Sequence, residues 1–137
     1  MNEYSEKNQT LIERAKSLFG KQVEAIIRQE QKLVELVQNV LAKLAKVATN
    51  PKVQKFIQPV QIFIRMIKAH FSGEHKIAFG TLGLIVLAMV YFLSPVDLIP
   101  DFLGFFGFAD DLSIVLAVYA NVKDEVDGFL EWEKTRI

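Results

Sequence analysis

The sequence predicts an all-α protein of about four helices. Apolar residues recur every seven positions through the first third of the chain, which is typical of a helix with one apolar face. A later stretch of 17 residues without a charge, 77–93, is apolar around its whole circumference. No segment shows the alternation of apolar and polar residues that a half-buried strand requires. The length of 137 residues suits one domain with an added helical arm.

The first predicted helix runs from Thr10 to Ala48 and forms an amphipathic arm over residues 1–50. Its apolar line consists of Ile12, Phe19, Ile26, Leu33, Val40 and Val47. Residues 1–9 are polar and are expected to fray, and Gly20 is the point at which the helix is expected to bend or split. Polar residues such as Lys43 interrupt the second apolar line, so packing against the rest of the chain is favoured over a strict coiled coil. The stripe also offers a surface for a homo-oligomer.

The second predicted helix opens the remaining domain, 51–137. Asn50 can cap a helix, and Pro51 suits its first turn. Apolar residues at helical spacing continue to Phe71. Pro59 lies inside this helix and is expected to kink it or to mark a boundary.

The apolar helix is predicted over residues 77–93. A helix that is apolar all round lies either in a core or in lipid. Its 17 residues cover roughly 25 Å, slightly less than the bilayer core of about 30 Å. We predict a membrane-inserted transmembrane helix, with burial in a soluble core as the alternative. Basic residues just before Ile77 predict that this side faces the cytoplasm at the cell membrane.

The formal net charge is zero, but the charges are unevenly divided. Residues 1–76 hold 13 Lys and Arg against 7 Asp and Glu, whereas residues 77–137 hold 3 against 9. The basic half is expected to lie near anionic lipid headgroups, or to attract the acidic half within the folded chain. The basic residues are dispersed and no nucleic-acid motif accompanies them, so nucleic acid is not an expected partner.

The composition excludes several kinds of site. The absence of cysteine excludes disulfides, thiolate metal sites and a cysteine nucleophile. The two histidines, His70 and His75, are too few for a multi-histidine metal centre, and they are expected to face solvent or lipid headgroups. No hydrolase elbow, phosphate loop, dinucleotide fingerprint or zinc-protease motif is present. The chain is therefore not expected to be an enzyme, and no cofactor is expected apart from the divalent cation considered below.

Four aspartates follow the apolar helix within 15 residues: Asp97, Asp101, Asp110 and Asp111. Acids in such apolar surroundings are costly unless they are capped, paired, metal-bound or exposed to water. Ser94 suits an N-cap, Pro95 the first helical position, and Asp97 the third position of a capping box. Asp101, after Pro100, can cap another turn, and Asp110 can cap a last helix over residues 111–133. Helix capping is therefore the preferred interpretation of these acids.

A second interpretation makes the four aspartates a binding site. Asp97 and Asp101 are four residues apart, so one helical turn aligns them. If the motif turn, 94–111, joins the two arms of a helical hairpin, Asp110 and Asp111 return toward the first pair. Four converging carboxylates would need Mg²⁺, Ca²⁺ or Mn²⁺, or raised pKa values with shared protons. Capping, cation binding and proton sharing all remain open at this point.

The stretch YFLSPVDLIPDFLGFFGFADDL resembles the YkvA-like family of bacterial domains of unknown function. The hallmark of that family is an apolar helix, then S/N-P-[IV/L]-D-L-I-P-D, then a short apolar and glycine-containing stretch that ends in Asp-Asp. The matching residues are Ser94, Pro95, Asp97, Leu98, Ile99, Pro100, Asp101, Gly107, Asp110 and Asp111. Gly104 departs from the pattern, since many members carry proline there, and this bears on the stiffness of the loop. The resemblance covers roughly residues 62–134 and implies a small, often membrane-assigned protein without an established reaction.

Three functions follow as expectations. The first is a membrane-associated interaction or scaffold protein that self-associates through its N-terminal stripe. The second is a cation- or proton-binding membrane protein that uses the four aspartates. The third is a soluble regulatory helical bundle, which requires the amphipathic helices to cover the apolar helix.

Overall fold

The computed structural model describes residues 3–51, 53–93 and 107–136, and the side chains of all of these except 3–8 and 107–113. All regular structure in these residues is helical, which confirms the all-α prediction. The helices are α1 (Glu3–Arg28), α2 (Glu30–Val47), α3 (Gln54–Ser72), α4 (Phe79–Leu93), α5 (Gly107–Asn121) and α6 (Lys123–Thr135). The described residues thus form six helices where about four were predicted, because two predicted helices are each divided.

The predicted N-terminal helix is divided at Gln29 and not at Gly20. Gln29 has an extended backbone, with φ −124° and ψ 112°, and its carbonyl accepts the N–H of Lys32 at 3.0 Å. Both α1 and α2 pack against α4. An unbroken helix over 3–47 would be about 67 Å long, whereas the 15 residues of α4 span about 22 Å. The break therefore lets both parts of the arm remain in contact with one short helix.

The predicted last helix, 111–133, is likewise divided, and it starts earlier than predicted. Helix α5 begins at Gly107, and Val122 separates it from α6 with φ −103° and ψ 22°. The separation is shallow, because Val122 still donates its N–H to Val118 and accepts the N–H of Val126, both at 2.9 Å. Neither break has a proline or glycine at the dividing residue, which is why local sequence signals missed both.

The prediction that residues 1–9 fray is wrong for most of that segment, since α1 starts at Glu3. Helix α1 as a whole packs against α4 and α5. Asn121 of α5 donates a hydrogen bond from Nδ2 to Oε1 of Gln9 at 3.1 Å. Ile12 and Ala15 are buried just after it. Tertiary packing thus extends the helix beyond the point suggested by its polar sequence.

Helix α3 starts and ends at identifiable signals. Pro51 lies in a turn before the helix, so the helix begins three residues later than predicted, at Gln54. Pro59 lies inside α3 without ending it and is buried. At the other end Gly73 adopts the left-handed φ of 79° and donates its N–H to the carbonyl of His70 at 3.1 Å.

Helix α4 lies at the centre of the described structure. Helices α1, α2, α3 and α5 all pack against it, and each residue from Ile85 to Phe92 is buried. The apolar helix predicted over 77–93 is shortened to 79–93. Among the described residues, no helix combines the length and the apolar character needed to cross a membrane. The prediction of a transmembrane helix is therefore not met by α4, whose apolar residues 85–92 are covered by other helices of the chain.

Candidate functional site

The predicted acidic site falls largely on residues for which the structure gives no description. Ser94, Pro95, Asp97, Pro100 and Asp101 all lie outside the described residues. Gly107 is the first residue of α5. Asp110 and Asp111 lie in its opening turns, so the helix starts before them and not at Asp111, and their side chains lie outside the description.

The roles predicted for the four aspartates therefore stay predictions. Among the side chains that the structure describes, no group of three or more histidine, aspartate or glutamate residues could hold a metal ion. That finding does not extend to the four aspartates. The structure does show what surrounds the helices on either side of the motif, since α4 and α5 pack against each other.

Lys43 of α2 contacts the last turn of α4, which leads into the acidic motif. Its Nζ donates to the carbonyl oxygen of Phe92 at 2.5 Å and lies 5.1 Å from the centroid of the Phe92 ring. A cation at the carboxyl end of a helix interacts favourably with the helix dipole, and the ring face adds a cation–π attraction. Lys43 thus places a positive charge at the end of α4. In the sequence, this contact was indicated only by the position of Lys43, a charged residue within the second apolar line of the arm.

A second contact at this end of α4 comes from α1. Phe19 and Tyr91 form an edge-to-face pair with ring centroids 5.0 Å apart, a favoured geometry for aromatic side chains. Both helices of the arm therefore touch the turn that precedes Ser94. Chemically, the arrangement provides positive charge and aromatic packing at the carboxyl end of α4.

The turn between α3 and α4 depends on His70. Its Nδ1 accepts the backbone N–H of Ile77 at 2.9 Å. Burial, and to a smaller extent the positive charge of Lys76, lower the pKa of His70, because both disfavour the imidazolium. The neutral ring can accept this hydrogen bond, whereas a protonated Nδ1 cannot. The half-buried His70 thus has a structural role, which differs from the predicted solvent-facing or headgroup-facing one.

His75 and one ion pair join the same turn to the region of α6. The His75 ring lies 4.9 Å from Trp132 and 5.4 Å from Phe129, between centroids. The guanidinium group of Arg136 lies over the Trp132 ring, 4.9 Å from its centroid. Arg136 also forms an ion pair with Glu74. These contacts hold α6 against the α3–α4 turn.

Arg65 of α3 and Glu133 of α6 form a two-pronged ion pair. Nε and Nη2 of Arg65 donate to the two carboxylate oxygens at 2.9 and 3.1 Å. Both side chains are partly exposed, so the pair orients α6 more than it stabilises the fold. Together with the His75 contacts, it explains how a short acidic helix stays docked.

A groove between α1 and α4 carries the most exposed large apolar side chains of the described residues. Leu18 is 64% exposed and Phe79 is 69% exposed. The groove has a volume of about 790 Å³, and Lys16, Lys21 and Gly80 also line it. We call these five residues the α1–α4 face. Because two exposed apolar side chains line one groove, this face is a candidate surface for contact with lipid or with another protein.

A second groove lies between α2 and α3, with a volume of about 580 Å³. Val34 and Leu41 of α2 border it and are 38% and 43% exposed. Ile67 and Phe71 of α3 line it as well. We call these four residues the α2–α3 groove.

The similarity to known proteins includes the apolar helix, the acidic motif and the helix that follows. The family described as "Protein of unknown function (DUF1232)" matches residues 81–117, which contain most of α4, the whole acidic motif and the first part of α5. The chain is also 29% identical over 80 residues to the "Uncharacterized membrane protein YkvA" of Bacillus subtilis (strain 168). That alignment covers 58% of this chain and 76% of the relative.

These two similarities confirm the resemblance seen in the motif: over this region the chain is similar to YkvA and to the DUF1232 family. No solved structure matches the chain. The residues matched by the family thus include most of α4, the acidic motif and the first part of α5.

Proposed function

We propose that this protein is a small membrane-associated helical module that binds other molecules and does not catalyse a reaction. The observation that carries the proposal is the similarity to YkvA, which is named as a membrane protein and is aligned over 76% of its length. The exposed apolar surface of the described residues supports it, since Leu18 and Phe79 stand out from the bundle.

In this proposal the bundle contacts the membrane with its outer surface. The residues of α4 from Ile85 to Phe92 are covered by other helices of the same chain. Exposing them to lipid would require the bundle to open. The basic half, residues 1–76, is proposed to lie toward the cytoplasmic leaflet, where anionic lipids attract lysine and arginine.

Cell fractionation tests the membrane association. We expect the full chain, expressed in bacteria with a small epitope tag, to sediment with the membranes. Alkaline carbonate should release it, since in this proposal the contact is at the bundle surface and none of the described helices is inserted. Recovery of the whole population in the supernatant after gentle lysis at low salt would contradict the proposal. Retention after carbonate, with release by detergent alone, would support insertion in place of surface contact.

The enclosure of α4 also favours a second candidate, a regulatory helical bundle that binds protein partners without a membrane. This function required the amphipathic helices to cover the apolar helix, and α1, α2 and α3 do pack against α4. The two candidates differ in what the exposed grooves bind. Partners that co-purify from the supernatant fraction, with none of the chain on membranes, would favour the second candidate.

Self-association is proposed to use the α2–α3 groove. Val34 and Leu41 are seven residues apart, so they lie on one line along α2, as in a coiled-coil seam. Helix α2 has Glu30 in its first turn and Lys46 in its last turn. Antiparallel contact between two α2 helices would therefore bring opposite charges together at both ends. The occupant that this arrangement fits is the α2 helix of a second copy.

A further inference from the structure

We infer that the α1–α4 face is the surface through which this protein binds anionic lipid. The inference rests on the proposed membrane association and adds the residues that make the contact and the kind of lipid. The two features that point to lipid are protruding apolar side chains and the lysines beside them.

Leu18 and Phe79 belong to different helices, yet they line one groove. More than three-fifths of the surface of each is exposed, whereas the neighbouring Ile12, Ala15 and Val23 of α1 are buried. Two large side chains that project from adjacent helices can enter the headgroup and acyl boundary together. A protein partner would need two matching pockets to cover the same side chains.

The charges beside these side chains are mainly basic. Lys16 and Lys21 line the groove on either side of Leu18, and Glu24 is the acidic residue that also lines it. Lys16 lies 4.0 Å from Glu13, a contact between two exposed groups that contributes little. A lysine stem can lie along the apolar surface while its ammonium group reaches phosphate groups. The face therefore suits anionic headgroups better than neutral ones.

The glycines of the groove allow lipid to be distinguished from a protein partner. A Cβ added at Gly80 would meet no atom within 4 Å, and one at Gly83 would meet only Cδ1 of Ile27 at 3.9 Å. A leucine side chain at Gly80 would add apolar surface to the groove, which favours contact with lipid. The same side chain would obstruct a helix of a protein partner that has to enter the groove. Gly80→Leu therefore has opposite effects on the two kinds of occupant.

The first experiment measures sedimentation of the full chain with vesicles. Vesicles of phosphatidylcholine alone are compared with vesicles of phosphatidylcholine mixed with phosphatidylglycerol. We expect the wild type to bind the anionic vesicles, and the double variant Leu18→Ser/Phe79→Ser to bind at least roughly tenfold more weakly, because two large apolar side chains are removed from the contact. The matched control is Val34→Ser/Leu41→Ser, which changes two exposed apolar residues of the other groove. Both are compared at a protein concentration at which the wild type is monomeric, so that loss of self-association does not affect the result, and the control should then bind like the wild type.

The results distinguish failure of the proposed membrane association from failure of the assignment of the α1–α4 face. A wild type that binds neither vesicle overturns the proposed membrane association and the inference with it. Equal binding by the wild type and the Leu18/Phe79 variant overturns only the assignment of the face. Circular dichroism of every variant shows whether the helical bundle is retained, and all four substituted side chains are exposed enough for it to persist.

The second experiment measures vesicle binding by two further variants, one that removes the lysine charges of the face and one that fills the groove at Gly80. We expect Lys16→Gln/Lys21→Gln to weaken binding to anionic vesicles several-fold and to leave binding to neutral vesicles unchanged. We expect Gly80→Leu to bind as well as the wild type or better. Loss of vesicle binding in Gly80→Leu, with the fold retained, would overturn lipid as the occupant and would favour a helical protein partner.

Discussion

At the residue scale, single polar side chains hold the connections between helices. His70 accepts the N–H of Ile77 and thereby fixes the path from α3 into α4. Thr81, the buried polar residue of the described core, donates its hydroxyl to Glu125 of α6 at 3.1 Å. Lys43 donates to the end of α4. Spacing in the sequence could not predict the partners of these three residues. Each partner lies at least seven residues away along the chain and outside the helix of the residue that it contacts.

We predict that stability depends on pH through His70. Because the pKa of His70 is lowered in the folded protein, the unfolded chain takes up the proton first as the pH falls. This contribution to stability is therefore complete above the ordinary histidine pKa of about 6.5. It is lost as the pH falls from that value to the lowered folded pKa.

Urea denaturation at a series of pH values measures this effect. The matched variant is His70→Asn, whose side-chain oxygen can accept the same N–H but does not titrate in this range. We expect its stability to vary less with pH between neutral and mildly acidic conditions. An identical pH dependence in the wild type and His70→Asn would show that His70 is not the group responsible.

At the element scale, the ends and breaks of helices were predicted unevenly. Gly73 lies two residues after Phe71, the last apolar residue of the second predicted helix, and it ends α3 with a left-handed φ. Gln29 carries no comparable signal, since glutamine is a good helix former. The break there arises from packing of α1 and α2 against the same helix.

We predict opposite effects of alanine at two glycines. Gly73→Ala should destabilise the protein by about 1–2 kcal/mol, because a Cβ is strained at φ 79°. Gly128 lies inside α6, where a Cβ would meet no atom within 4 Å. Gly128→Ala should therefore stabilise by about 0.5–1 kcal/mol. Thermal and urea denaturation of the two variants measure the difference, and a stabilising Gly73→Ala would refute the role given to the left-handed cap.

At the scale of the whole molecule, the main finding is that α4 is enclosed. Apolar composition alone allowed either lipid or a protein core, since both favour the same side chains. In the structure α4 is covered by four helices. The arm predicted over residues 1–50 takes part in this cover, whereas its separation from 51–137 as a domain stays a prediction.

The enclosure predicts a contrast between neighbouring positions of α4. Ile85 is fully buried, so Ile85→Ala should cost about 2–5 kcal/mol of stability through lost transfer energy and a cavity. Leu84 is partly buried, so Leu84→Ala should cost less. Denaturation without lipid or detergent measures both. Equal and small effects would mean that α4 is not part of a packed core under those conditions.

The α2–α3 groove predicts self-association. Size-exclusion chromatography with light scattering should show a dimer of the wild type that dissociates on dilution. Val34→Ser/Leu41→Ser should be monomeric, because the apolar seam is removed, whereas Leu18→Ser/Phe79→Ser should dimerise like the wild type. A wild type that stays monomeric at all concentrations would refute this proposal. So would a dimer that persists in the Val34/Leu41 variant.

The sequence by itself determined the all-α class, the position of the apolar helix and the motif by which the chain resembles the YkvA-like family. Each depends on local composition, periodicity or an uninterrupted motif. The roles of Asp97, Asp101, Asp110 and Asp111, as caps or as ligands, stay predictions, because they depend on side-chain positions that the structure does not describe.

Only the tertiary structure decided where the arm breaks, what covers α4, and which apolar residues remain on the surface. Leu11, Leu18 and Val34 are all apolar residues of one amphipathic pattern. Yet Leu11 packs against the core, while Leu18 and Val34 stay exposed. The physical reason is that periodicity specifies a face of a helix, whereas the burial of that face depends on which distant helices pack against it.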